Sequence, residues 1–304
     1  MKANQSGVAI VLAMGVAALA ALTATAMLVS QSTWSRQVEL SADHVQAQLV
    51  IQGGLDWARA ILSDDRRTSS VDHSGEPWAL RLPPIPVENG SLFGHIEDQQ
   101  GKFNLNNVLK DGKVNLTQLE HFRRLLSILD LPPALADALA DWLDADSEPQ
   151  PQGGAEDETY LALWPPYLAA NRPLIDVAEL ALVRGFDARV RARLRPFVTA
   201  LPRFTAVNVN TASPEVMSAM VDGLGLDDAR IVIAQRERAY FLNVADFRKQ
   251  VAADLNLHSD EVSTTSEYFI ATMRVTIGRA QAHGSALLER ESTDWPMIVW
   301  RKYP

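Results

Sequence analysis

The chain contains no cysteine among its 304 residues, which excludes disulfides, thiolate metal sites and a thiol nucleophile. It also lacks the signatures G-x-S-x-G, the phosphate-binding loop and H-E-x-x-H, and its six histidines are scattered without metal-ligand spacing. A net charge of −9 argues against nucleic acid, because phosphate binding needs a basic surface. These absences predict a protein with no catalytic site and no nucleic-acid partner.

Charge is absent near the amino terminus, where no charged residue occurs from Ala3 to Ser35. The segment from Val8 to Val29 is almost wholly apolar, and a helix of that length spans a hydrocarbon core of roughly 30 Å. We therefore predict a transmembrane helix over residues 8–29. Lys2 on the short side favours a cytoplasmic amino terminus, so the remaining chain would lie outside the inner membrane.

The helical pattern continues beyond this span, which predicts one helix over residues 8–64, weakened at Gly53-Gly54. The apolar positions that step by three and four are Val38, Ala42, Val45 and Leu49, then Ile51, Leu55, Ala58 and Leu62. The alternative is a signal peptide, because Ala24-Thr25-Ala26 offers a cleavage site that would leave a chain beginning at Met27.

The rest of the chain predicts an α+β fold in which a helical insertion interrupts a small sheet. Strands are expected at 92–98, 269–277 and 297–301, placing the sheet in residues 65–101 and 263–304. Residues 102–262 read as an all-α insertion, with helices around 119–129 and 135–143. The phrases FNLNNV and VNVNTA form a weak repeat in which Asn106 and Thr211 are expected to cap helices.

The second of these phrases leads into a segment that resembles a helix-hairpin-helix unit, with the hairpin at residues 223–225. In that family the hairpin can bind DNA phosphates. Here three acids crowd it and would repel phosphate, so we expect a helical packing module; they are Asp222, Asp227 and Asp228.

Cations are missing from residues 125–171, which contain nine acids and no lysine, arginine or histidine. The acids are Asp130, Asp137, Asp141, Asp144, Asp146, Glu148, Glu156, Asp157 and Glu158. The segment is either a solvated acidic loop or the binding site of a cation. Apolar helices flank it and its donors are all oxygens, which favours calcium, an ion that accepts six to eight oxygen ligands in irregular loops.

The spacing excludes an EF-hand, since Pro149 and Ala155 occupy the positions of its glycine and its last glutamate. A site of another kind would take ligands from both ends of the loop. The predicted ligands are Asp144, Asp146, Glu156 and Asp157, and Asp141 and Glu148 are weaker candidates that could support the ligands or hold a second ion.

The amino terminus resembles that of type IV pilins and pseudopilins, in which a short polar leader ending in glycine precedes an apolar helix. The resemblance implies that residues 1–7 are a leader, that the prepilin peptidase cuts between Gly7 and Val8, and that methylation accompanies this processing. Most relatives have glutamate at the fifth mature position, where this chain has Leu12. That glutamate pairs with the terminal amine of a neighbouring subunit, so its absence suits a subunit at the filament tip.

Several longer stretches resemble, in the same order, the protein K family of type II secretion. They are DQQGKFNLNNV, DWLDADSEPQPQGGAEDETY, PPYLAANRPLIDVAEL and VNVNTAS. The resemblance implies a pilin-like long helix on a small antiparallel sheet, an inserted α-helical domain with a calcium loop at residues 141–160, and no enzymatic activity.

The family further implies a single-pass inner-membrane protein with a periplasmic carboxyl-terminal domain. It would assemble with the minor pseudopilins I and J, and also H, at the pseudopilus tip to export folded proteins across the outer membrane. The alternatives are a minor pilin of a type IV pilus and a secreted calcium-binding protein with a cleaved signal peptide.

Overall fold

A computed structural model describes residues 6–81, 83–252, 255, 260–291 and 295–303. Its helices are α1 (Ser6–Thr68), α2 (Leu116–Ile128), α3 (Leu135–Leu143), α4 (Asp157–Leu161), α5 (Ala188–Leu194), α6 (Pro214–Met220), α7 (Leu226–Arg236) and α8 (Val244–Arg248). Its strands are β1 (Ile85–Val87), β2 (Gly90–Asp98), β3 (Phe103–Asn104), β4 (Leu109–Lys110), β5 (Lys113–Val114), β6 (Val198–Thr199), β7 (Val207–Asn208), β8 (Val262–Ser263), β9 (Tyr268–Ile277), β10 (Ala280–Glu289) and β11 (Met297–Lys302).

Helix α1 is 63 residues long, about 95 Å at 1.5 Å per residue. Residues 7–42 are exposed on every side, and they include a stretch long and apolar enough to cross a membrane. The predicted leader residues 1–5 lie outside the described part of the chain. The structure therefore has an exposed apolar helix at one end and a folded head at the other.

The last third of α1 packs on the head through a single stripe of buried side chains. The stripe is Ala47, Ile51, Leu55, Ala58 and Leu62, whose spacing of three and four residues keeps them on one helix face. The helix continues through Val38, Val45 and Leu49 as predicted, but these side chains are exposed. They lie on turns, or on a face, that the sheet does not cover.

Helix α1 is continuous at Gly53-Gly54, so the predicted weakness does not interrupt it. Gly54 faces the sheet, and a Cβ added to it would lie 3.0 Å from the sulfur of Met273. The glycine therefore permits close approach of the helix to the sheet. Packing of the apolar stripe outweighs the roughly 1 kcal/mol that a glycine costs within a helix.

The sheet is antiparallel and has the order β1-β2-β9-β10-β11. Strands β2, β9 and β11 confirm the three predicted strands. Strand β10 escaped prediction because its sequence, AQAHGSALLE, is rich in small residues and poor in β-branched ones. The inner face of the sheet packs on α1, and α1 with this sheet forms the smaller of the two principal apolar cores.

The insertion between β2 and β9 has its own core, made by α2, α3, α5, α6 and the segments between them. The expectation that it is all-α was wrong in detail. Strands β3 and β6 pair in parallel, β7 and β8 pair in parallel, and β4 and β5 form a short antiparallel hairpin. Helices α2 and α3 appear where the apolar periodicity predicted them.

The repeated asparagine phrases supply strands β3 and β7, and Asn106 and Thr211 do not cap helices as predicted. Asn104 is instead the N-cap of a 3-10 helix, Leu105–Val108. Asn104 and Asn208 are equivalent, because each accepts a hydrogen bond from the backbone N–H two residues later. Asn106 instead donates to the carbonyls of Leu174 and Leu201. Thr211 donates its hydroxyl proton to Asp98. The actual caps of α2 and α6 are Asn115 and Ser213.

The predicted helix-hairpin-helix geometry is present in α6 and α7, with Gly223 at a φ of 82° in the turn. Asp222 in the hairpin forms an ion pair with Arg124 of α2. The hairpin thereby packs against its own domain. Its inability to bind DNA remains a prediction based on charge.

A buried arginine joins the end of α1 to the sheet. Arg290, which is 1 % exposed, forms ion pairs with Asp65 at 2.6 Å and with Asp72, and donates to the carbonyl of Ser266. Glu76 lies beside the two aspartates and accepts hydrogen bonds from a backbone N–H and from an indole N–H. The guanidinium of Arg290 therefore already supplies the positive charge for this group of acids.

Replacing Arg290 with leucine should leave two buried carboxylates without a counter-charge and destabilise the head by about 3–5 kcal/mol. Denaturant unfolding of the full chain in detergent would measure the change. Arg301→Leu is the matched control, because Arg301 is exposed on β11. An equal loss of stability in both variants would contradict the assigned role of Arg290.

Candidate cation site

The acidic loop is held between two short helices of the insertion. Helix α3 ends at Leu143, and Asp144 is its C-cap with extended backbone angles. The chain then runs out to Gly153 and returns to Glu156, which precedes α4. The buried rings of Trp142 and Tyr160 meet edge to face beneath the loop, with centroids 5.1 Å apart. Aromatic packing thus fixes the two ends of the loop relative to each other.

Three of the four predicted ligands come together at this point. One carboxylate oxygen from each of Asp144, Asp146 and Glu156 lies within 4.8 Å of the other two. Asp144 and Glu156 are only 2 % and 7 % exposed, whereas Asp146 faces solvent. All four carboxylate oxygens of the two buried residues lack a hydrogen-bond partner among the described residues. Buried carboxylates are normally paired or hydrogen-bonded, so this arrangement is unusual.

The ion-free arrangement is electrostatically unfavourable, which raises the pKa of both buried acids. Burial, with smaller contributions from the charges of Asp146 and Asp141, raises the pKa of Asp144 to about 6. Burial and the neighbouring acids raise the pKa of Glu156 to about 7. A bound cation would reverse the sign of each of these interactions.

Asp141 shapes the loop and does not join the cluster. Its carboxylate accepts hydrogen bonds from the backbone N–H groups of Gln150 and Ala155, the latter at 2.7 Å. A Cβ on Gly154 would lie 2.2 Å from an Asp141 oxygen, so the loop requires glycine there. Burial raises the pKa of Asp141, and these N–H donors partly offset that effect. Asp141, a weaker candidate ligand in the sequence, therefore supports the loop that carries the other candidates.

Two other predicted ligands lie outside the cluster. Asp157 accepts a hydrogen bond from the backbone N–H of Ala169, because it stands at the first turn of α4 and points to the following loop. Glu148 is exposed, and its backbone N–H donates to Asp146. The structure therefore narrows the predicted set to Asp144, Asp146 and Glu156.

The sequence analysis did not predict the partner of Asp137, an acid on α3 just before the loop. Asp137 is fully buried and pairs with Arg123, and it also accepts from the backbone N–H of Gln152. Arg123 lies on α2, just before the segment without cations, so no local pattern pointed to it. This pairing leaves Asp144 and Glu156 as buried acids with neither a counter-charge nor a hydrogen-bond partner for their carboxylates among the described residues.

The donor set suits a hard divalent cation. It offers three carboxylates, no sulfur and no imidazole, which matches the oxygen ligands that calcium prefers. Asp144, Asp146 and Glu156 would hold the ion, and its charge would tie the end of α3 to the start of α4.

The residues predicted for processing lie at the opposite end of the molecule. Gly7 and Val8 belong to the first turns of α1, and Leu12 follows one turn later with its side chain 64 % exposed. They are far along the chain from the acidic cluster and are placed in the apolar, exposed part of α1.

Comparisons with family models and with known sequences all indicate the same family. The family model "Type II secretion system (T2SS), protein K" matches residues 101–203 and 207–265. Type II secretion system protein K of Pseudomonas aeruginosa is 36% identical, over 91% of this chain and 86% of its own length. The Klebsiella pneumoniae protein of the same name is 33% identical, over 100% of this chain and 98% of its own length.

A solved structure agrees in fold. A chain in the crystal structure of the GspK-GspI-GspJ complex from the enterotoxigenic Escherichia coli type 2 secretion system matches with a TM-score of 0.78 at 26% identity. The match covers 88% of this chain and 99% of that one. A long helix on an antiparallel sheet, interrupted by a helical insertion, is the fold of a minor pseudopilin, a structural component of secretion machinery. The chain belongs to the type II secretion system protein K family.

The raised pKa values predict an unusual pH dependence of the ion-free protein. The folded state keeps protons that the unfolded chain would release, so the free energy of unfolding should fall as pH rises from about 4.5 to about 7. Calcium should restore stability most strongly above pH 7, where the carboxylates are charged. Thermal unfolding with chelator or with calcium, across pH, measures both effects.

Glu156→Gln should abolish the calcium response, whereas Glu158→Gln should keep it, because Glu158 is exposed and lies outside the cluster. If chelator and calcium give the same unfolding temperature at every pH, the cluster does not bind the ion.

Proposed function

We propose that this minor pseudopilin occupies the tip of the type II secretion pseudopilus, anchored by α1 in the inner membrane with its head in the periplasm. There it would initiate or cap the filament that exports folded proteins across the outer membrane. The observation that carries the proposal is the division of α1 into an exposed part, residues 7–42, which contains the apolar span 8–29, and a part packed on the head. A helix of this kind suits a subunit that is first held in the membrane and then packs against similar helices in a filament.

The position of the insertion favours the tip. It leaves and rejoins the sheet beside the carboxyl-terminal end of α1, where the backbone N–H of Asp72 donates to the carbonyl of Thr264 at 2.9 Å. The insertion thus lies at the end of the head farthest from the apolar helix. In the middle of a filament the insertion would block the next subunit from stacking on this end of the head. At the tip no further subunit stacks there.

Leu12 supports the same position. A carboxylate within the membrane is costly unless it is paired, and in pilin-like filaments glutamate at this position pairs with the terminal amine of an adjacent subunit. A leucine makes no such pair with a subunit above it. It suits a subunit that has no neighbour on that side.

The partners would be the minor pseudopilins I and J, and also H. The related structure is a complex of GspK, GspI and GspJ. In this chain Val45 and Leu49 lie one turn apart on the side of α1 away from the sheet, 56 % and 64 % exposed. An apolar stripe on that free face suits packing against helices of partner subunits.

Calcium would serve as a structural ion in the insertion. Its three carboxylate ligands connect α3 and α4, and its charge would compensate the buried acids of the loop.

Intact mass of the protein from membranes tests the processing step, and we expect a mature chain that begins at Val8. Gly7→Leu should block cleavage and retain the leader, since the prepilin peptidase cuts after glycine. Ala26→Leu, which removes the alternative cleavage site, should change nothing. A chain beginning at Met27, abolished by Ala26→Leu, would show a conventional signal peptide and contradict the anchored filament subunit.

The partner surface is tested by Val45→Glu with Leu49→Glu. Charge on the free apolar face should weaken co-purification with I and J in detergent by about tenfold or more, without changing the thermal stability of the head. Gln48→Glu is the control, because it adds charge on the same turn and removes no apolar surface. Undiminished co-purification of the double variant would exclude this face as the interface.

A further inference from the structure

A groove lies between the outer face of the sheet and the insertion, with a volume of about 760 Å³. Its floor is a row of side chains across four adjacent strands. His95 of β2 is opposite Thr272 of β9, Thr272 is opposite Ser285 of β10, and Ser285 is opposite Lys302 of β11. Helix α5 forms one wall. The groove therefore runs across the strands and not along a sheet edge.

The lining is electropositive, in contrast to the net charge of −9 of the chain. Its two acids are already paired, Glu97 with Lys102 at 2.9 Å and Asp176 with Lys302. Two arginines of the wall, Arg191 and Arg195, have no acid within ion-pair distance among the described residues. They lie four positions apart, so both guanidinium groups project from one side of α5 over the groove.

The groove also offers neutral hydrogen-bond donors and apolar contacts. Thr272 and Ser285 contribute hydroxyl groups to the floor. Ile175 and Ile270 add apolar surface beside these polar groups. Such a lining suits a ligand that combines negative charge, carbonyl acceptors and apolar side chains.

We propose that this groove binds a short acidic segment of a partner polypeptide in extended conformation. Four strands spaced about 4.8 Å apart give a floor of roughly 14 Å, which accommodates about four extended residues. Acidic side chains would meet Arg191 and Arg195, and main-chain carbonyls would accept from the hydroxyl groups of the floor. A polypeptide is favoured over an anionic polysaccharide because the latter has little to place against Ile175 and Ile270.

The test uses the full chain in a non-ionic detergent and a fluorescent peptide in which glutamate alternates with valine. The same peptide with glutamine in place of glutamate is the uncharged comparison, and a sulfated polysaccharide is the competing class. Fluorescence anisotropy should show binding of the glutamate peptide and weak or no binding of the glutamine peptide. Added salt should weaken the binding.

Arg191→Glu and Arg195→Glu should each weaken the affinity by about tenfold. Ala192→Trp, at an exposed position of the same wall, should weaken it by filling the groove without a change of charge. Arg189→Glu is the matched control, since Arg189 is exposed on α5 outside the groove lining, and it should change the affinity by less than about twofold.

Absence of glutamate-peptide binding would overturn the proposal. A loss of affinity in Arg189→Glu equal to that in Arg191→Glu would also overturn it. That result would indicate general electrostatic attraction of the peptide to α5 and not binding in the groove. Binding of the polysaccharide in preference to the peptide, blocked by Ala192→Trp, would assign the groove to the other class of ligand.

Discussion

The buried ion-pair group around Arg290 is the contact on which the arrangement of the whole head depends. Its guanidinium joins Asp65 at the end of α1, Asp72 in the following loop and the carbonyl of Ser266 at the start of the sheet's second half. Asp98 lies next to this group and accepts from Asn208 and from the hydroxyl groups of Thr211 and Ser266. One connected polar network therefore fixes the helix, the sheet and the insertion to each other.

This network differs from the acidic loop in how its charge is satisfied. Burial raises the pKa of Asp98 to about 6, yet several hydrogen-bond donors surround its carboxylate. Asp144 and Glu156 are buried to a similar degree and have no such donors among the described residues. The first arrangement is complete within the chain, whereas the second is consistent with a site that an external cation completes.

The two ends of the molecule present different surfaces. Residues 8–29 of α1 are exposed and apolar and suit lipid or neighbouring helices. The head carries a net acidic surface with a local electropositive groove between sheet and insertion. Because the insertion joins the sheet at the far end of α1, these surfaces are separated along the long axis. A filament subunit can therefore use α1 for assembly while its insertion remains free to contact other proteins.

The sequence by itself determined the features that rest on local periodicity and composition. Apolar spacing specified α1, α2 and α3, flanking glycines delimited β2, and alternation specified β9. The run of acids without cations located the candidate site. Only the tertiary structure decided which acids cluster, because Arg123 neutralises Asp137 from another helix and Ala169 engages Asp157 from the next loop. It also decided the roles of the asparagine repeats, whose long-range partners lie between 31 and 136 residues away in the chain. Local patterns encode the elements, but long-range hydrogen bonds and burial determine which polar groups remain available for a ligand.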